Sequence, residues 1–149
     1  TCLSETIGDD INQILIKARD DGKIPDGKYV LHANTPSYVG SHVTGFARMT
    51  KAMVDYFAEH SGNRTDRINL IPGWVEPSDT RELKRLAAEM NLEAIVFPDV
   101  SDVFDTPQTG KLNMYPKGGV RIAQIKDAGN SKATIGLGPT SSGLATEAL

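Results

Sequence analysis

Two short stretches hold the side chains most able to do chemistry. Thr1–Asp10 reads TCLSETIGDD and carries the one cysteine of the chain, Cys2. Thr35–Gly45 reads TPSYVGSHVTG and carries Ser37 and His42 on a glycine-rich turn. A cysteine thiolate is both a nucleophile and a soft metal ligand. A serine oxygen joins a metal or attacks a substrate only once its proton has gone, and a histidine can take or give that proton. Each residue also has an ordinary reading. A lone cysteine can be a small buried hydrophobe, Ser37 a turn residue after Pro36, His42 a helix-terminal or surface residue, and Asp9 or Asp10 a helix cap. Gly40 and Gly45 are spaced like part of a phosphate loop but lack the Gly-Lys-Ser/Thr ending, and no G-x-G-x-x-G, C-x-x-C or H-E-x-x-H occurs.

The elements around these stretches alternate. Asp9 or Asp10 caps a helix to about Asp20, with Ile11, Ile14, Leu15 and Ala18 on one face. Pro25-Asp26-Gly27 turns the chain, and Lys28–Ala33 reads as a short strand leading into the Ser37 loop. A second helix is expected from about Gly45 to His60, with Phe46, Met49, Met53, Tyr56 and Phe57 as its apolar stripe. Strands at Arg67–Ile71, Leu92–Phe97 and Ala133–Leu137 are interleaved with helices at Ser78–Met90 and Val120–Asp127, and a last helix starts near Leu144. Asp79 with Glu82 has the outline of a capping box. Residues 101–119 form a long polar loop. This order predicts an α/β, Rossmann-like domain, a parallel sheet of about four strands with helices on both faces.

The lengths bring the two stretches together. A first helix of about 12 residues rises roughly 18 Å, and a strand of about six residues returns roughly 20 Å. Cys2 and Ser37 should then share the carboxyl edge of the sheet, where open α/β folds bind ligands and where helix dipoles favour a thiolate.

Composition narrows the classes. The chain has 149 residues, net charge −3, 39% apolar and 23% charged residues, which suits one soluble globular domain. It offers no electrostatic case for nucleic acid or an anionic membrane. No apolar run approaches the ~20 residues that span a bilayer. One cysteine makes no internal disulfide and fits a reducing cytoplasm. The chain starts without Met, inside motif-like sequence, and stops inside a predicted helix; it reads as a piece of something longer.

TCLSETIGDD followed by TPSYVGSHVTG resembles the β subunit of nitrogenase component 1. The resemblance continues through INLIPGW (Ile68–Trp74), the Arg81–Met90 helix and FDTPQTGKLNMYPKGG (Phe104–Gly119), and so covers nearly all 149 residues. It implies the middle one of three Rossmann-like domains. The segments IPGWVEPSDTRELKR and GNSKAT look more like the alternative forms, vanadium-iron ahead of iron-only, than the molybdenum form.

The resemblance implies that Cys2 ligates the P-cluster, an eight-iron, seven-sulfur [8Fe-7S] electron relay shared with the α subunit, and that Ser37 lends an oxygen ligand when the cluster is oxidised. His42 is implied to support them from behind. Glu5, Thr6, Ile7 and Asp10 become candidate docking residues for the reductase partner, the iron protein, whose basic groups acidic side chains could meet. Further implied partners are the remaining β-subunit domains and a second αβ pair. The parent complex would be nitrogenase, an oxidoreductase reducing dinitrogen on a cofactor held by the α subunit; no catalytic residue falls in this chain. Iron–sulfur clusters need several thiolates, so the chain alone is expected to bind none and to be inactive. Two other readings stay open: a nitrogenase-related scaffold for cofactor assembly, and a stand-alone flavodoxin-like binding domain.

Overall fold

The computed structural model describes Ser4 and residues 7–107, 109–111 and 117–149. The elements run α1 (Ile11–Asp20), α2 (His42–Phe57), β1 (Ile68–Ile71), α3 (Pro77–Glu89), β2 (Ala94–Val96), α4 (Ile122–Ala128), β3 (Ala133–Gly136) and α5 (Gly143–Glu147). The described sheet is parallel and three-stranded, in the order β2-β1-β3. Ile68 pairs with Ala94 on one side and with Ala133 on the other.

Central β1 alternates its faces, as a pleated strand must. Ile68 and Leu70 pack with Ala87 of α3 and Val96. Ile71 joins the opposite core with Val54 and Phe57 of α2, Ile125 of α4 and Ala145 of α5. Helices thus cover both faces. Asn69, 1% exposed, shares the second face and is fully bonded. Its amide nitrogen donates to Ala128 O (2.9 Å) and Thr134 Oγ1 (3.0 Å), and its oxygen accepts from Ser131 Oγ (2.8 Å).

The fourth expected strand does not form among the described residues. Lys28–Ala33 carries no regular secondary structure and pairs there with no strand. It lies across helices instead. Arg19 Nη2 donates to Val30 O at 2.7 Å, and the Tyr29 ring meets Phe57 and Tyr56 edge to face at 5.1 and 6.4 Å. The Tyr-Val-Leu run has strand composition but spends it on aromatic packing, with Tyr29 and Val30 half-exposed.

Helix boundaries follow their caps. Asp10 Oδ1 accepts from Gln13 N at 2.9 Å and starts α1, as the sequence indicates. Helix α2 starts three residues before the expected Gly45, because Ser41 is already extended (φ −96°, ψ 175°) and Gly45 N donates to Ser41 O. It ends at Ala58, also extended, ahead of the expected His60. In α3 the capping box is Glu76 with Asp79, one turn earlier than Asp79 with Glu82, since Pro77 fits the first helical position, where no N–H is needed. Glu82 pairs with Arg85.

Candidate functional site

The Ser37 loop and the first turns of α2 form one wall of an open groove of about 740 Å³. Pro36, Ser37, Val39, His42, Phe46 and Met49 line it, and Trp74 closes the far side. Trp74 stands three residues past β1, so the groove does lie at the carboxyl edge of the sheet, although no described strand leads into the Ser37 loop. The turn that delivers Trp74 depends on Gly73. Its φ is +77°, and a Cβ there would run into Ser141 Oγ and approach Leu137 O at 3.3 Å.

Three rings bind the groove walls. Trp74 meets His42 at 5.2 Å and 67°, and Phe46 at 5.1 Å and 78°, both edge to face. The loop tip is tight. Tyr38 holds a left-handed backbone (φ 64°) with its side chain 96% exposed, a conformation that costs a non-glycine residue about 1–2 kcal/mol. Gly40 sits where a Cβ would press within 2.8 Å of Thr44 Oγ1, so the loop folds flat on the helix start.

The large apolar side chains at the start of α2 face this groove rather than the core. The buried positions are Ala47, Thr50, Val54 and Phe57. Of the expected stripe, Phe57 is buried and Met53 packs against the core, whereas Phe46 and Met49 line the groove and Met49 and Tyr56 stay 48% and 38% exposed. In the first half of the helix residue size points to the groove face as the buried one, whereas the core takes Ala47 and Thr50.

Of the sequence candidates, Ser37 and His42 come together on one groove. Asp10 is the cap of α1, and Ile7 is 72% exposed. Cys2, Glu5 and Thr6 lie outside the described residues. Asn12 of α1 lines a second, polar cleft together with Pro36 and Val39 of the Ser37 loop. Helix α1 therefore starts beside that loop, and its other end is tied back by Arg19 to Val30. Trp74 and Arg48 belong to the groove but do not stand out in the sequence. The signal for Trp74 is the Pro-Gly turn at the carboxyl end of a strand, where α/β sheets present their sites.

A profile of nitrogenase component 1 type oxidoreductases matches residues 1–149. The chain belongs to that family. The nitrogenase molybdenum-iron protein beta chain of Clostridium pasteurianum is 52% identical over 149 residues, 100% of this chain and 32% of that protein. The beta chain of the same name from Azotobacter vinelandii is 37% identical over 145 residues, 93% of this chain and 28% of that protein. A chain of the solved nitrogenase Cp1 at pH 6.5 superposes with TM-score 0.93 at 51% identity, over 99% of this chain and 32% of that one. This nitrogenase-family chain thus spans about a third of the length of these relatives.

The vanadium expectation is corrected by these matches, which carry the molybdenum-iron name. Its basis is the wording of residues 71–85 and 129–134, and most side chains of α3 in the first stretch and all those of the second are exposed or half-buried. Positions of that kind are loosely fixed by packing, so their wording says little about the metal form. Family membership also removes the free-standing flavodoxin-like reading. No helix among the described residues is long and apolar enough to cross a membrane.

Proposed function

We propose that this chain is the middle section of a molybdenum-iron nitrogenase β chain, and that it lends Cys2 and Ser37 to the P-cluster at the boundary with the α chain. The observation that carries this reading is the convergence of the α1 start and the Ser37 loop: Asn12, Pro36 and Val39 share one cleft. It supports placing the cysteine segment ahead of α1 on the side of the sheet that carries Ser37.

The donor set suits a shared cluster. The sequence holds one cysteine, and among the described residues no three His, Cys, Asp or Glu side chains converge as a metal site. One thiolate and one hydroxyl can complete an iron–sulfur cluster whose other thiolates come from elsewhere, and cannot enclose one.

When bound, the cluster supplies electron storage and transfer between the iron protein and the dinitrogen-reducing cofactor of the α chain. The chain's own residues do the rest. Cys2 Sγ would hold iron as a thiolate. Ser37 Oγ would have to give up its proton to serve as a ligand, which would join loss of electrons by the cluster to loss of a proton at that atom. His42 is fixed against Trp74 at the groove wall and keeps the loop's helix end in place. The apolar wall of Val39, Phe46, Met49 and Trp74 excludes water once a partner covers it. Ile7 is exposed beside the start of α1, where a reductase could dock, with Asp10 and, from the segment outside the described residues, Glu5 and Thr6 as further docking candidates.

The test uses the assembled α and β chains carrying Cys2→Ala or Ser37→Ala. Cys2→Ala is expected to lower P-cluster iron and abolish its electron-paramagnetic signals. Ser37→Ala is expected to retain iron and change only the oxidised-state spectrum. Unaltered iron and spectra in both variants would refute the proposal.

A further inference from the structure

Among the described residues, helix α2 presents a single permanent charge to the groove. Arg48 lines it, and the remaining described lining residues are apolar, hydroxyl-bearing or glycine, apart from the imidazole of His42. No carboxylate among them neutralises that charge. The neighbouring cation of the helix, Lys51, is different: it is paired with Asp55 at 2.6 Å and belongs to the polar cleft. Arg48 reaches that cleft as well, and its Nη1 donates a long hydrogen bond, 3.5 Å, to Asn34 O. Asn34 immediately precedes Thr35-Pro36-Ser37, so the guanidinium grips the stem of the loop that carries Ser37. That bond is one long contact to a neutral carbonyl; the described groove lining holds no carboxylate, and Asp55 of the adjoining cleft is engaged by Lys51. Beside apolar walls such a charge acts over a longer range than in water.

We infer that Arg48 is a positioning residue: it anchors the stem of the Ser37 loop and sets a positive potential at the electron-carrying group that Ser37 faces. This rests on the P-cluster reading given above. A fixed cation favours the form holding more electrons, so Arg48 raises the midpoint potential of that group.

The experiment is redox titration of the assembled protein, followed by electron paramagnetic resonance. Arg48→Gln is expected to shift the P-cluster midpoint to lower potential. Arg48→Lys, which keeps the charge, is expected to restore most of the shift. The double variant Lys51→Gln with Asp55→Asn, which removes a mutually neutralised pair outside the groove, is expected to leave the potential in place. Met49→Lys adds a cation at an exposed groove position and is expected to move the potential upward, so the inference stays testable should Arg48→Gln fail to assemble. An unchanged midpoint in Arg48→Gln, or in Met49→Lys if only that variant assembles, overturns the role of Arg48. If Cys2→Ala and Ser37→Ala also leave the spectra unchanged, the P-cluster reading itself has failed; if those two perturb the spectra and Arg48→Gln does not, only the role of Arg48 has.

Discussion

The imidazole of His42 and the indole of Trp74 meet edge to face, 5.2 Å between centroids at 67°. One ring opens α2 and the other ends the turn after β1, so this pairing joins the Ser37 loop to the sheet. Aromatic pairs of this kind contribute about 0.5–1.5 kcal/mol each, and Trp74 makes two. Trp74→Ala is expected to lower stability by roughly 1–3 kcal/mol, and Trp74→Phe by less, in denaturant unfolding. Equal stability of all three proteins would show that the pairing holds nothing in place.

Asn69 is the polar pin of the core. Replacing it with Ala removes the acceptor of Ser131 Oγ and the donor to Thr134 Oγ1, while Ala128 O keeps the Ser131 N–H. A buried group left unsatisfied costs about 1–3 kcal/mol, so Asn69→Ala should destabilise by roughly 2–4 kcal/mol. Ile71→Ala, at a 0% exposed position, should cost about 2–5 kcal/mol through the cavity it opens. Thermal or denaturant unfolding measures both.

The loop after β2 is clasped from α3. Arg81 pairs with Asp105 at 2.6 Å and with Asp102 at 3.4 Å, while Lys84 donates to Asp99 and Ser101. The hydrogen bond from Arg81, with its charge, holds the Asp105 carboxyl below its ordinary pKa of 3.8. A carboxyl lowered in the fold contributes stability above its unfolded pKa and loses it as pH falls through the folded one. The clasp should therefore hold at neutral pH and release only in acid below 3.8. Carboxyl carbon shifts followed by NMR should show Asp105 titrating low, and Arg81→Ala should move it upward, since the Arg81 hydrogen bond is the largest cause of the lowering.

The chain by itself is predicted to bind no stoichiometric iron, because a single cysteine cannot enclose a cluster. Anaerobic reconstitution followed by iron and sulfide analysis checks this. A firm content of about eight irons per chain, a full cluster's worth, would contradict it.

Where local chemistry decides the structure, the sequence is readable. Asp10 before the apolar period of α1, the buried INLI run of β1 and the Gly138–Gly143 turn all sit where their residue types require. Lys28–Ala33 is not readable in this way, because β-type composition cannot say whether a neighbouring strand exists, and Tyr29 finds Phe57 and Tyr56 instead. Gly45 looks like a helix boundary, yet the break lies at extended Ser41, and the glycine is carried inside the first turn. In the site, Ser37 and His42 stand out because their motif is local. Trp74 and Arg48 do not, since their place at the groove arises from tertiary packing of β1 and α2 that no spacing along the chain encodes. The family is legible from two long motifs; the metal form is not, because the two segments that bear on it lie mostly at exposed or half-buried positions.

Ligation of the cluster by this chain can be decided by an iron-edge anomalous diffraction map of the assembled, oxidised protein. Iron is expected within bonding distance of both Cys2 Sγ and Ser37 Oγ, and the serine oxygen is expected to leave iron on reduction. Iron bonded to neither atom in either redox state would contradict the assignment.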